Sequence, residues 1–178
     1  MQAQRVVFNL LIHDQARMRQ RGDLRQFRTA VTWSAFDGYE AWNAHDGKAL
    51  VCYLGRFNQL IGFGALHYDL HVLGSYVSRD HDPIIDGLRR HLVDLEVLLR
   101  QHSGLRLTLN QVARDTLQQS AFALPDAFAS DEECFQYNER NVALIRKIDD
   151  FRRVHGFLSV GNFAVRLPHD RDLQDEAA

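Results

Sequence analysis

Cysteine is nearly absent from this chain: Cys52 and Cys134 are the only two among 178 residues. They show no CxxC or zinc-finger spacing, which excludes a disulfide framework and a cysteine-built zinc site and suits a reducing compartment. Lysine is as scarce, with Lys48 and Lys147 alone, the other basic residues being arginine. No run of about 18 uninterrupted apolar residues occurs, so hydropathy gives no membrane span. The start carries no signal-peptide pattern, since only seven residues separate Arg5 from His13 and Asp14. These absences predict a soluble, cytoplasmic protein.

Catalytic signatures are missing as well. No serine lies in a GxSxG context. There is no GxGxxG or GxxxxGK[ST] loop to cradle phosphates, and neither cysteine has a local nucleophile pattern. His67 and His71 stand one helical turn apart, the spacing of a metal-binding pair. The segment reads HYDLH, without the glutamate of HExxH, so the expectation is no metal ligation there. Asp80, His81 and Asp82 put carboxylates beside an imidazole, but Pro83 follows at once and helix capping explains the group. Nothing here calls for an enzyme, and no catalytic residue, metal or cofactor is expected.

What remains is an ordinary composition, 46% apolar and 25% charged, with a net charge of −2. That is typical of one folded domain large enough for its own core. It excludes a polycationic coat for nucleic acid but not a local basic patch. The charge is uneven. Residues 1–30 carry six arginines against Asp14 and Asp23.

The same region changes hydrophobic period. Val6, Phe8, Leu10 and Ile12 share one face of an extended segment, and Arg5, Val7, Asn9 and Leu11 the other. An arginine-rich helical pattern follows to Gly22. A strand leading into a basic helix is how a ribbon-helix-helix dimer enters the major groove. On that plan Arg5, Val7 and Asn9 contact bases, as arginine pairs with guanine, asparagine with adenine and valine with a thymine methyl. Arg17, Arg19, Arg21, Arg25 and Arg28 contact phosphates. One strand cannot form a ribbon alone, so the plan requires a homodimer, which could pair further into a tetramer.

Further along, helical spacing predicts helices over 24–36, 48–79 and 82–102. The second has Leu50, Leu54, Phe57, Ile61, Ala65, Tyr68, Val72 and Tyr76 at steps of three and four. Gly55, Gly62, Gly64 and Gly74 weaken it, each by ~1 kcal/mol. A short strand is expected at 105–109. Ser130 to Glu133 forms a capping box that opens a helix running to His155, with Gly156 as its stop. A last strand is expected at 163–167, then a polar, disordered acidic tail over 169–178. The expected fold is mostly α with short β-strands. A ribbon-helix-helix-like element at 5–22 sits on a helical body at 23–167, in a single domain of residues 1–168.

Three stretches resemble the AcaB-like family of integrative conjugative elements and conjugative plasmids. They are FNLLIHDQARMRQRG (8–22), the region 53–99 with its RDHDP turn, and NERNVALIRKIDDFRRVHGFLS (138–159). The chain departs from that family at Ile84-Ile85 and at Met18-Arg19. The resemblance implies a dimeric, sequence-specific DNA-binding transcriptional regulator of a mobile conjugative element. Two other readings stand beside it: a non-enzymatic helical adaptor that binds a protein partner of a mobile element or phage, and a metal-dependent enzyme built on His67 and His71.

Overall fold

A computed structural model of the chain describes residues 4–12, 26–77, 82–120, 124–125 and 129–169. The first strand, β1 (Arg5–Ile12), lies at the centre of a five-stranded mixed sheet. Antiparallel β2 (Phe27–Ser34) borders one of its edges, and β3 (Gly38–Asn43) follows beyond β2. Parallel β4 (Gln59–Gly62) borders the other edge, and β5 (Leu92–Asp94) completes the order β3-β2-β1-β4-β5. This overturns the mostly α, ribbon-helix-helix expectation. Both edges of β1 are filled from within the chain, so it has none to offer a second subunit.

The physical reason is readable in the segment itself. Val6, Val7 and Phe8 are all fully buried, on alternating faces. A strand covered on both faces reads as a near-continuous apolar run rather than a strict alternation. Val6, Phe8 and Leu10 enter one core with Leu50, Leu54, Leu60, Leu70 and Leu73. Val7 enters the other with Val31, Ile61, Leu99, Val142, Ile145 and Ile148.

Three predicted helices are corrected. Residues 24–36 contain β2, whose Thr29, Val31, Thr32 and Trp33 are β-branched or aromatic and favour a strand. The 48–79 helix is replaced by α1 (Gly47–Leu54), β4 and α2 (Asp69–Gly74). Two of its glycines are breaks rather than tolerated defects: Gly55 caps α1, and Gly64 has φ +72. The 82–102 helix divides into α3 (Asp82–Arg90), β5 and α4 (Leu95–Ser103), and Gly104 ends α4 in the left-handed region as expected. Residues 105–108 form no strand. They lead into α5 (Leu109–Leu117), opened by a Thr108–Gln111 capping box.

The late helix and the last strand match the sequence reading, while a strand at 157–160 was not expected. Ser130 and Glu133 cap α6 (Asp131–His155), and Gly156 closes it at φ +72. The strands β6 (Phe157–Val160) and β7 (Phe163–Arg166) then form a separate hairpin. Among the described residues no helix is long and apolar enough to cross a membrane. The tail from 170 onward lies outside the described residues.

Candidate functional site at the switch point of the sheet

The chain leaves β1 for β2 on one side and returns through β4 on the other, so the strand order reverses at β1. In open sheets with parallel neighbours, ligands bind outside the carboxyl ends of the strands at such a point. The β1–β4 ladder covers only Arg5–Val7 against Gln59–Ile61. Past it, the Leu10 N–H donates to the carboxyl of Asp69, the first residue of α2. Asp69 is therefore buried beneath the switch point, where the strand order sets a crevice between the parting strands.

Burial is the main cause that raises the Asp69 carboxyl from its ordinary 3.8 to about 7, and the neighbouring Asp94 carboxylate adds to it. The Leu10 N–H works in the opposite direction. Asp94 itself organises the surrounding chain. Its Oδ1 accepts from the N–H groups of Gly64 at 2.9 Å and Glu96 at 3.0 Å, and its Oδ2 from Leu66 at 2.8 Å. One carboxylate thus caps α4 and pins the β4–α2 loop to it. Gly64 is required there twice over: it takes positive φ, and a Cβ would lie 2.8 Å from Glu96 Oε2.

On the opposite face of β1 the site is built of amides. Asn9 is half-buried, and its Nδ2 donates to Asn138 Oδ1 at 2.6 Å. Asn138 is fully buried and donates to the Thr29 carbonyl at 3.0 Å and to Thr29 Oγ1 at 2.8 Å. Asn141, also buried, follows one turn later on α6. Buried amides survive only with partners, and this chain of bonds supplies them.

The outer lip of the crevice is polar and aromatic. His67 and Tyr68 directly precede Asp69 and are exposed. Arg100 on α4 donates from Nη2 to His67 Nε2 at 3.2 Å. Arg106 reaches Tyr68 Oη at 3.4 Å and Glu96 Oε1 at 3.7 Å. His67 thus faces an arginine, not a metal-ligand partner. Among the described residues no three His, Cys, Asp or Glu side chains are grouped as a metal site.

The residues expected to contact DNA are dispersed. Arg5 bonds Asp149 at 2.7 Å and Asp150 at 2.6 Å, with its side chain 15% exposed. Val7 is fully buried and presents no surface to a base. Asn9 is half-buried and bonded to Asn138. Arg28 donates to Asp131 at 3.0 Å and to the Ala129 carbonyl, which ties β2 to the start of α6. Arg17, Arg19, Arg21 and Arg25 lie outside the described residues. The expected outer face of β1 is not open: Val7 is buried, Arg5 is ion-paired to the helix α6, and Asn9 bonds Asn138 on the same helix.

Sequence reasoning missed Asn138, Asn141, Asp69, Asp94, Tyr68, Arg100 and Arg106. A signal existed for four of them. Asn138 and Asn141 interrupt the apolar stripe of Cys134, Val142, Ile145 and Ile148, and an acid interrupts an apolar run at both Asp69 and Asp94. Polar residues on a buried stripe are more informative than the stripe itself.

No family model and no curated protein matches the chain. Solved structures do, among them the family B DNA polymerase from the hyperthermophilic archaeon Pyrobaculum calidifontis, at a TM-score of 0.57 and 11% identity. The similarity covers 85% of this chain and 25% of the polymerase chain, so this protein spans a quarter of that polymerase's length. At that identity the similarity concerns the fold alone: this chain has the fold of one portion of that polymerase.

Proposed function

We propose that this chain binds DNA and does not cleave it. The observation that carries the reading is Asn9 on β1, which among the described residues of the expected DNA-contacting set is alone neither fully buried nor held in an ion pair. An amide offers a donor and an acceptor together, the pair that recognises base edges. Phosphodiester cleavage assisted by two divalent ions needs carboxylates disposed around both ions. Here Asp94 is engaged by backbone N–H groups, and Asp69 holds its proton up to about pH 7. The fold shared with part of a DNA polymerase supports DNA as the ligand. The AcaB-like motifs support a regulatory role on a conjugative element, now without a ribbon.

Fluorescence anisotropy with labelled single-stranded and duplex oligonucleotides tests this reading. Binding is expected in EDTA, weakening as salt rises because phosphate contacts release counterions. The oligonucleotides are expected to stay intact on a denaturing gel after incubation with Mg²⁺ or Mn²⁺. Shortened products, or no binding in EDTA, would contradict the reading.

A further inference from the structure

We infer that the lip of the crevice is a nucleic-acid backbone site, in which Arg100 and Arg106 hold phosphates and the Tyr68 ring stacks on a base. This rests on the DNA-binding reading above and says where on the domain the strand is held. His67 and Tyr68 are adjacent in the chain, and each receives one arginine: Arg100 at His67 Nε2, Arg106 at Tyr68 Oη. Two guanidinium groups and an aromatic ring are thereby gathered on one short segment, immediately beside Asp69.

A guanidinium carries five N–H donors, and each of these bonds uses one of them. The Arg106 side chain is 73% exposed, and Glu96 stands 3.7 Å from it, beyond hydrogen-bond length. At such exposure the contacts add little to folding stability. Their arrangement suits a ligand better than the fold. Arginine pairs bidentately with phosphate oxygens, and positive groups beside an exposed ring are how strands are held through backbone and base together. Tyr68 is 40% exposed and offers that ring.

The lip is also held in place. Asp94 bonds Gly64 and Leu66 of the loop before His67 and the first turn of α4, which carries Arg100. Gly104, at φ +71, ends α4 two residues before Arg106. The two arginines and the tyrosine therefore stand on elements joined through one carboxylate. Glu96 is the counter-charge beside Arg106, so the lip favours a phosphodiester over a more highly charged free phosphate.

The test is an anisotropy titration with a labelled thymidine oligonucleotide of about twenty residues, across a salt series. The variants are R100Q/R106Q, R100K/R106K, Y68A and Y68F, each checked for folding by circular dichroism. The glutamine pair is expected to weaken binding at least about tenfold and to flatten the salt dependence by about 1.4 in log–log slope, the share of two phosphate contacts. The lysine pair keeps the charge and the slope. Y68A is expected to lose roughly tenfold and Y68F little, since only the ring matters for stacking. If the wild type binds and every variant matches it in affinity and slope, the lip is not the site, while the DNA-binding reading survives. If the wild type fails to bind at any salt, both fall.

Discussion

Asp69 is buried at the first turn of α2, with the Leu10 N–H on one side and the Asp94 carboxylate near it. Because its folded-state value is raised, the folded protein keeps this proton while the unfolded chain releases it. Stability from Asp69 is therefore fully present below 3.8 and is lost as pH rises to about 7. The expected loss over that window is a few kcal/mol. Urea unfolding across that range should show it, and Asp69→Asn should remove this component, leaving a flatter profile. Parallel profiles for the two proteins would mean that Asp69 ionises normally and is not the buried acid described. Asn138 works on the same scale without charge, joining β1 to β2 through Asn9 and Thr29.

At the scale of elements, Asp94 links β5, α4 and the β4–α2 loop, and its loss should be felt by all three. Asp94→Ala is expected to cost about 2–4 kcal/mol, the sum of a lost helix cap and unsatisfied N–H groups. Asp94→Asn should cost less, since Oδ1 keeps its acceptor role for Gly64 and Glu96 while Leu66 loses its partner. Equal stability of Asp94→Ala and wild type in thermal melts would show that the loop does not depend on this cap. Elements with local signals were legible from sequence. The Ser130 capping box and Gly156 bound α6 at both ends, and Phe163–Arg166 is a strand. Elements decided by long-range packing were not. A strand such as Leu60-Ile61, buried by β1 and β5, can satisfy a helical spacing by chance. Only its partners reveal the difference.

Across the whole molecule, a short ionic network joins the first strand to the end of the described chain. Arg5 bonds Asp149, Asp149 bonds Arg152 through Oδ1, and Arg152 Nη1 donates to the Pro168 carbonyl at 2.8 Å. Arg152 and Asp149 are buried, so each ion requires the other. Arg5, read from the opening segment as a base contact, is held in the fold by Asp149 and Asp150. Of the candidate site, Asn9 and His67 were legible from sequence. Its remaining groups come from α2, α4, α6 and the loops between, which converge only through the sheet order. The switch point of the sheet is the proposed seat of DNA binding.

The most direct measurement is NMR titration of the ¹⁵N-labelled protein with an unlabelled oligonucleotide in EDTA. The backbone amides of Leu10, Gly64, Tyr68 and Asn141 and the side-chain amide of Asn9 are expected to shift progressively, while those of β6 and β7 stay in place. Shifts confined to the β6–β7 hairpin or the outer edge of β3, with the crevice unchanged, would contradict DNA binding at the switch point.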